Sequence, residues 1–254
     1  MKRLLLTLSQ KWPEYILEIL VLVIGIYGAF VLDNWNEDRK ARNHEMKILN
    51  SLMSDLRVEI KNNNRYISLR QDKAKASASL LFDSLPNTKK EIIDYLNRFN
   101  QVTFWGTYVP YNNTFKELIS SGNLSQITND SIRYYLMELD KKYVAVANGE
   151  EHMRHEYDAY IYDMIFPNIQ ILRVFNLEEV VKTGGYQKYD STDFNDSEFQ
   201  EIIEEIKWIS QNPTLKNAFR ISITNHMYLK RLHGEVGNNL NKIQELINEE
   251  LQTE

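Results

Sequence analysis

The residues best equipped for chemistry cluster at Glu150-Glu151-His152-Met153-Arg154-His155-Glu156. Glu151 and His155 are four apart, as are His152 and Glu156, so each pair shares a helix face. A di-iron bundle needs Glu-x-x-His on two helices plus inward carboxylates on two more. The spacing here is Glu-x-x-x-His, and both histidines lie off the apolar seam of their helix. The cluster reads as a solvated charged face, and no metal or cofactor is assigned. His226 and His233 differ in falling on an apolar seam. They are read either as hydrogen-bonded polar core residues or as a pH-sensitive lock. No serine sits in a nucleophile elbow, Gly184-Gly185 lacks the lysine and spacing of a phosphate loop, and cysteine is absent. The sequence carries no recognisable enzyme.

Composition narrows the classes further. A chain of 254 residues with 43% apolar content can build one sizeable core, and a mean hydropathy of −0.46 fits a water-facing domain rather than a multi-span transporter. A net charge of −5 argues against nucleic acid as partner, because phosphate binding needs a basic surface. With 9 Gly and 5 Pro the chain is poor in turns, which disfavours an all-β fold.

The stretch that must position everything else is WPEYILEILVLVIGIYGAFVLDNW, residues 12–35. Residues 19–32 carry no charge, and Trp12 and Trp35 bracket the run as interfacial aromatics about 34 Å apart at helical rise. Residues 1–14 therefore read as a short basic tail, 15–35 as a transmembrane helix and 36–254 as a helical, membrane-anchored domain. Glu18, Gly25 and Ala29 share one face, where small residues allow close helix contact and the carboxyl would join it. The simpler alternative is that Glu18 reaches the headgroups and the glycines are the ordinary excess of membrane helices. Arg39, Lys40 and Arg42 fall at headgroup level and read as a lipid-contacting collar with the two tryptophans. Basic residues nearly tie across the span, and the short basic N-terminus favours it inside and the domain outside.

The run EILVLVIGIYGAFVLDNWNEDRKARNHEMKILNSLMSDL resembles the opening of an uncharacterised single-span membrane-protein family of Bacteroidota type, over roughly residues 16–60. Glu18, Gly25, Asn34, Trp35, Asn36 and Glu37 stand at the places that carry the likeness, while Leu17 replaces a usual glycine. A fainter echo lies in KELISSGNL, residues 116–124. The resemblance implies a membrane protein of helical character and transfers no activity; the expected location is the bacterial inner membrane.

Beyond the span the period stays helical. Met46, Leu49, Met53, Leu56, Ile60 and Ile67 recur by threes and fours, with Asn63 interrupting and Arg70 beyond, so the membrane helix continues into a stalk ending near Phe82. Thr88 and Glu91 form a capping box. Residues 101–113 are aromatic and β-rich. There Phe104, Trp105, Tyr108 and Tyr111 form a candidate partner or ligand loop, or a satellite core tucked under the bundle. Residues 114–121 form a helix ended by Gly122. Asn129 caps a long helix that stops at Pro167, with a kink expected at Gly149-Glu150, which sits on its seam. A short strand is expected at 170–175, a short helix at 177–182 and loop at 186–196. Helices follow over 197–211 and from Pro213 nearly to the end.

The fold class is thus all-α: one transmembrane helix running into a stalk, then a bundle of long amphipathic helices. Function reads as a membrane-anchored structural or interaction protein that self-associates or meets another membrane protein. The alternatives are a tethered sensor or ligand-binding receptor and, behind it, an ion-conducting oligomer using Glu18.

Overall fold

The computed structural model describes residues 2–170, 175–185 and 195–252. Among the described residues seven helices carry the fold: α1 (Lys2–Phe82), α2 (Lys89–Thr103), α3 (Asn113–Ser120), α4 (Asp130–Tyr157), α5 (Leu177–Thr183), α6 (Asp196–Gln211) and α7 (Pro213–Gln252). A 3₁₀ turn (Asn123–Gln126) joins α3 to α4. A π-helical turn (Asp158–Tyr162) and a last short stretch (Asp163–Ile165) extend α4.

At 81 residues α1 is about 120 Å long at helical rise and runs unbroken from the apolar stretch into the bundle. It is the one helix among the described residues long and apolar enough to cross a membrane, and its apolar window is nowhere buried within the protein. Burial begins at Glu45, Ile48 and Leu49, three turns past Trp35.

α1, α4 and α7 form the core, with α1 and α4 parallel and α7 antiparallel to both. Ser77 meets Ser222, Asn63 meets His233, and Arg42 meets Glu250, which sets the register of α7 along α1. α2 packs on the distal part of α1 and α6 closes against α7. The core is segregated along its length. Near the anchor it is aliphatic, with Leu49, Leu52 and Leu56 facing Ile132, Leu136, Leu240 and Ile243, all fully or nearly fully buried. Each such side chain contributes roughly 1.5–3 kcal/mol. Farther out, Glu59, Asn63, Arg70, Glu150, His226 and His233 share the interior with aliphatic residues.

Local signals explain the helix ends. Thr88 and Glu91 form the capping box, and Asn129 accepts from the N–H groups of Ser131 and Ile132. Gly122 and Gly184 adopt φ of 72° and 69°, the left-handed conformation that stops a helix. α1 begins at Lys2, inside the stretch read as a tail, and the other described helix bounds fall within a few residues of those read from sequence. Of the aromatic stretch 101–113, residues 104–112 form a loop and Gln101–Thr103 are the last residues of α2. Most of the expected 170–175 strand and of the 186–196 loop lie outside the described residues.

At Gly149-Glu150, where a weak point or kink is expected, α4 continues as helix. Gly149 instead admits α7, since a Cβ there would stand 3.0 Å from Leu229 Cδ2. The irregularity falls one helix segment later, at the π turn. Gly237 does the same on α1's side, where a Cβ would lie 3.2 Å from Asn63 Nδ2.

Candidate functional site

One face of α1 carries Asp55, Glu59, Asn62, Tyr66, Arg70 and Lys73, one residue per helix turn. Each holds a backbone group of the segment between α2 and α3 or of the helix ends that flank it, and the segment runs antiparallel along α1 as a strap. Asp55 accepts from the Thr114 N–H at 2.7 Å, and Glu59 from the Tyr111 N–H at 2.7 Å. Asn62 donates to the Val109 carbonyl at 3.0 Å, Tyr66 to that of Thr107 at 2.7 Å and Arg70 to that of Gly106 at 3.4 Å. Lys73 donates to the carbonyls of Gln101, at 2.6 Å, and Phe104. Carboxylates thus meet N–H groups and donors meet carbonyls, which answers for an extended segment that no strand could satisfy.

Beneath the strap lies a buried charge cluster. Arg70, fully buried, pairs with Glu150 of α4, and its guanidinium carbon lies 5.7 Å from the Tyr66 ring centre and 5.8 Å from that of Trp105. Glu150 also accepts from the Tyr108 N–H at 3.0 Å. The Tyr108 hydroxyl donates to Glu59, which accepts from Tyr143 as well, at 3.2 Å. His233 donates Nδ1–H to Asn63, whose amide returns to the His233 carbonyl, both at 2.9 Å, and its ring stands edge-on to Tyr108. Deeper in, the Tyr157 hydroxyl donates to the Val102 carbonyl at 2.8 Å and accepts from His226 Nε2 at 3.0 Å.

Burial dominates the titration of these groups. It pushes Glu150 up to about 7 against the pull of Arg70, and it raises Glu59. It lowers Lys73 to about 7, and His226 and His233 to about 2 and about 4, where nearby cations add to the effect. Both imidazoles are neutral at physiological pH.

The four loop aromatics divide. Tyr108 is buried, and Trp105 is half-buried and packs edge-on against Tyr157 at 4.9 Å. Phe104 and Tyr111 remain exposed. Arg42 is half-buried and bonded to Glu45 and to Glu250, both at 2.8 Å. Arg39 and Lys40 stay on the surface, and the Arg39 guanidinium lies over the Trp35 ring at 5.6 Å. Trp12, Trp35, Glu18, Gly25 and Ala29 lie on the unburied part of α1, and nothing lies within 4 Å of a Cβ built at Gly25. His152 is exposed, 3.5 Å from Glu156, and no group of described residues is placed to hold a metal.

The strap escaped the sequence reading, because its rungs look like an ordinary charged helix face. A usable signal was that Arg70 and Glu150 each interrupt an apolar seam where a charge is costly unless paired.

A family model described as a family of unknown function (DUF6090) matches residues 18–186. No curated protein and no solved structure matches the chain.

Proposed function

The chain belongs to that family of unknown function, and from its geometry we propose a membrane-anchored helical structural or interaction protein without catalytic activity. Lipid surrounds α1 from Tyr15 to about Trp35, and copies associate through the face bearing Glu18, Gly25 and Ala29. The observation that carries the proposal is that this surface is apolar, unburied, and continuous with a helix that enters the bundle without a break. Apolar area of this extent, on a helix long enough to span, is stable in lipid and not in water. The bundle stands beyond Trp35 on a short polar spacer, and the placement that fits is the bacterial inner membrane with the N-terminus cytoplasmic and the domain periplasmic. The partners are lipid and a second copy, or another membrane protein.

The strap favours a second reading, a tethered sensor. Six rungs on α1 hold it, so a partner met at Phe104 or Tyr111 would bear directly on the helix that enters the membrane. Mass measurement of the full-length protein in mild detergent tests the first reading. An oligomer is expected, reduced to monomer by Gly25→Leu with Ala29→Leu. A wild-type monomer would refute self-association.

A further inference from the structure

We infer that the solvent face of α1 beyond the membrane docks an acidic helix of another protein, laid alongside the anchor. The inference rests on the membrane reading above. The exposed face of α1 that carries Glu18, Gly25 and Ala29 continues by steps of three and four through Leu32 into the water-facing part of the helix. There, from Asn36 to Arg65, it holds Arg39, Lys47, Arg57, Lys61 and Arg65, with only asparagine and serine between them. All five cations are exposed, and the first carboxylate farther along this line is Asp72. The chain has a net charge of −5, so the line runs against the overall sign.

The charges select the occupant. None of the five cations forms an ion pair with a described residue. Arg39 lies over the Trp35 ring and Arg65 over that of Tyr66, at 5.6 and 4.9 Å, contacts that leave the charge unbalanced. Glu117 of α3 lines the same recess as Lys47 without pairing with it. Lipid does not supply the missing anions. Arg57, Lys61 and Arg65 stand about 33, 39 and 45 Å beyond Trp35 at helical rise, past the headgroups at any ordinary tilt and outside their screening length. A second copy that meets this one at Gly25 and Ala29 brings the same five cations to the same side, and like charges repel. The complement is a row of carboxylates at helical spacing, and the line from Arg39 to Arg65, about 39 Å, fits one long helix. Val58 flanks the line, and Asn62 and Glu59 hold Val109 and Tyr111 of the strap on that flank. All three apolar side chains are exposed, which offers the partner apolar contact beside the charges.

The test uses full-length protein, first shown to remain in membranes after alkaline carbonate, then placed in nanodiscs of phosphatidylcholine, which has no net charge. The probe is a fluorescent synthetic helix of about 26 residues with glutamates along one face. Saturable binding is expected. It should weaken about tenfold or more when the probe carries glutamine instead of glutamate, and likewise in Arg57→Glu with Lys61→Glu and Arg65→Glu, exposed positions whose change leaves the core untouched. Lys182→Glu with Lys207→Glu and Arg220→Glu, which alters the net charge equally on α5, α6 and α7, should bind as the wild type does. Absence of binding, equal losses in the two triple variants, or duplex DNA binding as tightly as the acidic helix would overturn the docking face. Release by carbonate would instead overturn the anchor.

Discussion

Arg70 and Glu150, eighty residues apart, form a fully buried ion pair that ties the anchor helix to α4 directly beneath the strap. The same carboxylate accepts from the Tyr108 N–H, so one side chain joins three segments. Removing either partner strands a charge in the core. Arg70→Met or Glu150→Leu alone should cost about 3–5 kcal/mol in denaturant unfolding, while the double variant loses much less than the sum. Additive losses would mean the two do not act as a pair.

The strap should exchange slowly although it has no secondary structure. Hydrogen exchange should find the Tyr108 and Tyr111 amides protected alongside the core helices, with Glu59→Gln speeding Tyr111 most, since Glu59 accepts its N–H. Exchange at loop rates in the wild type would count against the ladder.

Two glycines on long helices should respond oppositely to alanine. At Gly234 nothing lies within 4 Å of a new Cβ, so Gly234→Ala gains helix propensity and should stabilise by about 1 kcal/mol. At Gly149 the Cβ meets Leu229 at 3.0 Å, and Gly149→Ala should destabilise. A melting-temperature rise in both would show that Leu229 yields to the added methyl.

Much of this was legible before any coordinates. The threes-and-fours spacing found α1, α4 and α7, and it placed Asn63, Arg70, Glu150, His226 and His233 on or in line with apolar seams. Which of them meet was not legible, because register between helices 80 to 170 residues apart is set by packing rather than local pattern. The pairing of Arg42 with Glu250 was not legible for the same reason, as the two lie 208 residues apart. The strap's aromatics suggested strand propensity, which α1's side chains override by satisfying the backbone themselves.

Acid should unfold the bundle through its histidines. His233 and His226 have folded values of about 4 and about 2 against an ordinary value near 6.5, so unfolding takes up protons on acidification. Their contribution is complete above about pH 6.5 and is lost as pH falls toward those lower values, by at most about 1.4 kcal/mol per pH unit for each. Glu150, raised to about 7, acts in the opposite sense: its contribution is present below its ordinary range and is lost as pH rises through 7. Glu150→Gln should therefore steepen the acid loss between pH 6.5 and 4.5, and His233→Asn should flatten it, as read from unfolding free energy against pH. No change in slope with either variant would refute the assignment.

The central claim is that lipid, not water or protein, solvates α1 from Tyr15 to Trp35. Washing membranes from cells expressing the full-length chain with alkaline carbonate tests it directly. The account predicts the protein, with residues 15–35 intact, wholly in the membrane pellet. Full-length chain in the supernatant, or a mature form beginning after Leu32, would contradict it.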